Sequence, residues 1–176
     1  MRADAQLNHE RLLAAAAATF ARDGADASLK DIAKEAGVGI GTLYRRFPTR
    51  EMLVEATYRN ETSRLGEAAP ELLEKLDPMP ALRTWMDQFV AYIATKHGMA
   101  ESLKAVLDDD RRLESRQLLA DALGVLLRAG IEAGALRDDV PAEDVLMGLG
   151  GITLIADGDR ALAGRLSELL VAGLRN

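Results

Sequence analysis

Between Gly37 and Arg50 the chain carries Arg45, Arg46 and Arg50, with Thr42 and Tyr44 among them, and no acidic residue. That concentration of positive charge on one short stretch is a local basic patch, the kind of surface that phosphate binding needs. It sits in an acidic protein, whose formal net charge is −6 over 176 residues. The balance is uneven along the chain. Residues 1–64 hold ten Lys and Arg against nine Asp and Glu, and residues 65–176 hold twelve against nineteen.

Other chemistry finds little support. There is no cysteine, which excludes disulfide scaffolds and thiolate metal sites, and neither His9 nor His97 has an evident nucleophile beside it. Asp108, Asp109 and Asp110 stand in a row, but three consecutive carboxylates point in different directions and make a poor metal cage. Gly148, Gly150 and Gly151 imitate a nucleotide loop, yet Thr153 occupies the last position of G-x-G-x-x-G and no strand precedes it. The expectation is a protein with no catalytic residue, no metal and no cofactor, and not an enzyme.

The elements that must position the basic patch are helices. Hydrophobic residues make up 48% of the chain but aromatics only 4%, a composition that favours helix formers and predicts an all-α fold. Asn8 is a candidate cap for a first helix with Leu12, Leu13, Ala16, Ala17 and Phe20 on one face and Gly24 at its end. Ser28 stands before Leu29, Ile32, Ala33 and Ala36, with Asp31 placed for a capping box, and Gly37 closes this second helix. A third, from Ile40 to about Arg46, turns Leu43 and Phe47 inward and leaves Thr42, Tyr44, Arg45 and Arg46 over. Pro48 and Thr49 break and recap the chain before a fourth helix from Arg50 to about Leu65. A short basic helix after a glycine-containing turn is a helix-turn-helix arrangement, in which the second helix enters a major groove. The same spacing also fits an ordinary helical hairpin with a solvated charged face.

The residues themselves go further. The run Ile32-Ala33-Lys34-Glu35-Ala36-Gly37-Val38-Gly39-Ile40-Gly41-Thr42-Leu43-Tyr44-Arg45-Arg46-Phe47-Pro48-Thr49-Arg50-Glu51-Met52-Leu53, with Ala18, Phe20 and Gly24 before it, resembles the TetR family of transcriptional regulators. The resemblance implies that Thr42, Tyr44, Arg46 and Arg50 bond DNA phosphates and that Ile40, Gly41 and Arg45 lie nearest the base edges. Arginine suits either role through paired hydrogen bonds, and a tyrosine hydroxyl can donate to a phosphate oxygen. Gly39 stands where the family often has serine, which removes the side-chain cap of the third helix.

Gly66 and Pro70, then Asp77-Pro78-Met79-Pro80, interrupt the helical pattern. They suggest a DNA-binding domain over 1–65 and an effector-binding and dimerisation domain over 66–176. In the second, Leu82, Trp85, Met86, Phe89, Val90, Tyr92 and Ile93 form a broad apolar arc, and Met99, Leu103, Val106 and Leu107 continue in a shorter helix. A long helix follows the aspartates, then Pro141 opens one with Val145, Leu146, Leu149, Ile152, Leu154 and Ile155. The last carries Leu162, Leu166, Leu169, Leu170 and Leu174.

The final two helices either finish the core or pair with a second copy. TetR resemblance favours a homodimer bundle through Leu146, Leu149, Leu162, Leu166, Leu169 and Leu170. It also implies an effector pocket among Trp85, Met86, Phe89, Tyr92, Met99 and Leu103, for which core packing is the alternative. The stretch Met79 to Met99, with Trp85, Phe89 and Lys96-His97-Gly98-Met99, resembles SbtR-like C-terminal domains. The expected partners are double-stranded operator DNA, a second copy of the chain and a small-molecule effector. A purely protein-binding helical module is the rival reading. No uncharged apolar run approaches the ~20 residues that cross a bilayer, and residues 1–10 lack a signal-peptide core; no membrane partner and a cytoplasmic location are expected.

Overall fold

The computed structural model describes residues 2–176, which form nine α-helices and a 3-10 turn, with no β-strand among the described residues. In chain order the helices are α1 (Arg2–Asp23), α2 (Leu29–Glu35), α3 (Ile40–Arg46), α4 (Arg50–Leu73) and α5 (Pro78–Gly98). They continue with α6 (Ala100–Val106), α7 (Asp109–Glu132), α8 (Ala142–Ala156) and α9 (Arg160–Gly173). The all-α class follows from the composition. Two compact units result, one comprising the chain up to Glu61 with Ala94–Arg112, the other Thr62–Ile93 with Leu113–Asn176.

The first unit is built on the apolar face of α1. Leu12, Leu13, Ala16 and Phe20 are buried, and Ile32 and Ala33 of α2, Leu43 of α3, Phe47, and Leu53 and Val54 of α4 are buried with them. The end of α5 packs closely into the same unit: a Cβ on Gly98 would lie 1.9 Å from the carbonyl oxygen of Phe20. Further along, Arg111 donates to Glu55 at 2.6 Å, tying the start of α7 to α4.

In the second unit Leu65, Ala69, Leu82, Trp85, Met86, Leu123, Leu126 and Leu149 are buried. Arg137 N donates to Leu174 O at 2.9 Å and Asn176 Nδ2 to Leu136 O at 3.2 Å, which fastens the C-terminal residues. Arg83 of α5 bonds Glu168 of α9 at 2.7 Å.

Several boundaries differ from the sequence reading. Asn8 is no cap, because α1 already begins at Arg2, and Gln6 donates to Glu10 one turn on within the same helix. Gly66 and Pro70 do not end the fourth helix, which runs to Leu73. Pro70 falls in the last turn, where one lost N–H bond disturbs little helix beyond it, while the buried Leu65 and Ala69 hold the turn before it. Gly66 is instead a close approach, its hydrogen facing the Leu118 side chain. The long seventh helix does not follow the three aspartates but includes two of them. Asp108 caps α7 by accepting from Arg111 N at 2.9 Å, and Asp109 and Asp110 lie in the first turn, where negative charge is favoured. Pro141 is the residue before α8 rather than its first turn.

Candidate nucleic-acid interface

The capping signals around α2 and α3 act as their residue types dictate. Ser28 Oγ accepts from Asp31 N at 3.0 Å and donates to the Asp31 carboxylate at 2.6 Å, which starts α2 firmly. Its end is a Schellman turn: Val38 N donates to Ala33 O at 2.9 Å and Gly37 N to Lys34 O at 3.1 Å. Gly37 takes φ +70 there, a conformation that costs a residue with a Cβ, so the chain reverses within three residues before α3. Gly39 has the extended backbone of a cap but no side chain to offer; Thr42 N and Leu43 N bond its carbonyl instead. Leu43 is fully buried and anchors α3, and Thr49 Oγ1 accepts from Met52 N at 3.2 Å to start α4.

This anchoring leaves the opposite side of α3 outward. Ile40, Gly41, Tyr44, Arg45 and Arg46 are exposed, Tyr44 to 49%, and Thr42 is half-buried. The six residues thus share one short helix. Arg45 Nη2 donates to Thr42 Oγ1 at 3.1 Å, so these two side chains lie together. Arg46 Nε donates to His9 Nδ1 at 3.2 Å. Arg50 stands apart from them in character. It is half-buried, its guanidinium lies 5.1 Å over the Phe20 ring, and it donates to the carbonyls of Ala27 and Ala25. Arg50 therefore braces the turn between α1 and α2.

His9 is the residue of this site that sequence reasoning missed. Its ring stacks on Phe47, centroids 5.7 Å apart and planes 25° apart. Burial and the charge of Arg46 push its pKa down, against an opposing pull from Glu10. A signal was present: His9 precedes Leu13, Ala16 and Phe20 at intervals of four, three and four, on the apolar stripe of α1.

In the second unit Trp85, Met86, Phe89 and Tyr92 are all buried on α5. Trp85 and Phe89 stack at 5.8 Å, and Phe89 and Tyr92 meet at 6.0 Å. Their polar ends are partnered, Trp85 Nε1 donating to Leu65 O at 2.8 Å and Tyr92 OH sharing a hydrogen bond with Thr62 Oγ1 at 3.2 Å. Met99 and Leu103 are buried too, but they belong to the first unit. The leucines of the last two helices divide. Leu146 and Leu149 are buried within the protomer and need no partner surface, which corrects their reading as contact residues. Leu162, Leu166 and Leu170 are half-buried, and Leu169 is 69% exposed. Met147, Leu154 and Ile155 join it, exposed to 68%, 70% and 74%.

A short basic helix carried outward on a capped helical support, within a chain that is helical throughout, defines the class of helix-turn-helix transcriptional regulators. Residues 12–57 match the family of bacterial regulatory proteins of the tetR type, and residues 77–176 match the C-terminal domain of SbtR-like transcriptional regulators. The chain belongs to the TetR family of DNA-binding transcriptional regulators. It is similar to TetR transcriptional regulator SCO0520 from Streptomyces coelicolor, at 47% identity and a TM-score of 0.87 over 94% of this chain and 97% of the other. A TetR transcription regulatory protein from Mycobacterium vanbaalenii is 32% identical with a TM-score of 0.76, over 99% of each chain. An uncharacterized HTH-type transcriptional regulator of Mycobacterium tuberculosis, Rv1255c, is 39% identical over 79 residues. That match spans 44% of this chain and 39% of the relative's length. The relatives are regulators and not enzymes, and no helix among the described residues is long and apolar enough to cross a membrane.

Proposed function

We propose that the chain is a cytoplasmic repressor that binds a pseudo-palindromic operator as a homodimer and leaves it when a small molecule binds. The observation that carries the reading is the outward, acid-free surface of α3 with Tyr44, Arg45 and Arg46. Residues 1–65 serve DNA and residues 66–176 serve the effector and the second subunit. Tyr44, Arg46 and Thr42 meet phosphates, Arg45, Ile40 and Gly41 face the bases, and Arg50 adds a phosphate contact with the guanidinium hydrogens not bound to the turn. The dimer face is Leu169 with the half-buried Leu162, Leu166 and Leu170, extended by Met147, Leu154 and Ile155. The effector is mostly apolar and enters beside Trp85, Met86, Phe89 and Tyr92; flexible methionine and flat rings adapt to a guest.

Selection of bound duplexes from a random pool tests the reading, and a chain that enriches no sequence would refute it. With the selected operator, Arg46→Ala is expected to lower affinity for all duplexes alike. It should flatten the dependence of log K on log salt by about 0.9 per lost phosphate contact, hence roughly 1.8 in a symmetric dimer. An unchanged slope would remove Arg46 from the phosphate contacts.

Arg45→Ala is expected to change which sequence is selected, because neighbouring helical residues point about 100° apart and cannot serve one contact. An identical motif at uniformly lower affinity would make Arg45 a backbone contact. For the effector, titration of metabolites should find a compound that shifts Trp85 fluorescence and weakens operator binding over the same concentrations. Coupling is needed as well as binding, since equal affinity for both states shifts nothing. If every compound that shifts the fluorescence leaves operator binding intact, the release mechanism is wrong.

A further inference from the structure

The contact between His9 and Arg46 joins α1 to the last residue of α3, and its chemistry has a direction. Arginine offers only donors, so the bond from Arg46 Nε to His9 Nδ1 requires a lone pair on Nδ1. The imidazole must then be neutral with its proton on Nε2. The ring is itself held: it stacks on Phe47, a buried residue that follows Arg46 directly. Arg46, by contrast, is exposed at the end of a helix of seven residues and would otherwise sample many rotamers.

We propose that His9 is a positioning residue for DNA: the lone pair of its Nδ1 holds the Nε–H of Arg46, so that the guanidinium meets a backbone phosphate with its two Nη groups. This rests on the reading of Arg46 as a phosphate contact. An arginine tethered at Nε loses the side-on approach through Nε and Nη and keeps the end-on approach through both Nη groups, which is also bidentate. Much of the rotamer freedom that binding would remove is already lost in the free protein, so the contact is preorganised. Burial and the neighbouring Arg46 charge lower the His9 pKa and so favour the neutral ring, with Glu10 the acidic group pulling the other way.

The test is a double-mutant cycle on operator binding by the full chain, using the selected duplex. His9→Phe keeps a ring to stack on Phe47 and removes the acceptor; it should weaken binding about 3- to 10-fold. In an Arg46→Ala background the same change should have no effect. His9→Gln, whose amide oxygen can accept, should recover most of the affinity. Nitrogen-15 NMR of the unsubstituted protein should show His9 with Nδ1 bare and Nε2 protonated at pH 7.5. Equal losses from His9→Phe in both backgrounds, or none in either, would overturn the proposal while leaving DNA binding intact. So would the opposite tautomer, a result that stands even if a variant fails to fold. If the unsubstituted chain binds no duplex at all, the underlying reading of Arg46 falls, and this one with it.

Discussion

Ile155→Glu is expected to turn the proposed dimer into a monomer that binds the operator poorly. Ile155 is 74% exposed on α8, with Leu154 beside it and Met147 two turns earlier on the same helix. Burying one such side chain stabilises by about 1.5–3 kcal/mol. In a two-fold interface each substitution counts twice, so its loss amounts to about 3–6 kcal/mol, or roughly 10²- to 10⁴-fold in the dimer constant. Two glutamates brought to one apolar face add desolvation and repulsion to that figure. Operator binding falls in step, because the two recognition helices are no longer linked at the spacing of successive major grooves, about 34–36 Å. Sedimentation and gel shift on the same sample check it, with Leu113→Glu as the control at an exposed apolar residue on α7. A folded Ile155→Glu protein that still sediments as a dimer would move the interface elsewhere.

Gly98→Ala is expected to cost more stability than any other alanine replacement of a glycine in the first unit. The added Cβ would lie 1.9 Å from Phe20 O and 2.6 Å from its carbonyl carbon. Both are backbone atoms of α1 and cannot rotate away. Overpacking of this kind costs about 1–3 kcal/mol or more, and at the upper end this corresponds to a fall of roughly 6–12 °C in Tm for a chain of this length. Gly41→Ala in the same unit makes the contrast. Nothing lies within 4 Å of its Cβ position, and it sits in a helix, so alanine there should stabilise by up to about 0.5–1 kcal/mol. Thermal melting followed by circular dichroism decides it; a Gly98→Ala protein melting with the unsubstituted one would mean that α5 and α1 separate at no cost.

The residue types alone determined much of the interface. Ser28 with Asp31, Gly37, Gly39 and Thr49 are local signals: a cap or a left-handed turn depends on a few adjacent residues, so the limits of α2 and α3 were legible without any partner. The buried Leu43 and the outward Tyr44, Arg45 and Arg46 follow from helical period, once one face is known to be apolar.

Tertiary structure decided what depends on contacts distant in sequence. Pro70 and Gly66 read as breaks, yet buried neighbours on α4 carry the helix past them, because packing outweighs local propensity. Leu146 and Ile155 look alike in a sequence; one is buried in its own protomer and the other faces outward, a difference set by which side of α8 the core covers. Arg50 and Arg46 look alike too. Only the fold shows Arg50 lying over Phe20 and bonding the carbonyls of Ala25 and Ala27, and only the fold brings His9 across 37 residues to Arg46. Periodicity assigns a side chain to a face. Which atom it meets there depends on the other helices, and their positions are fixed by the packing of the whole core.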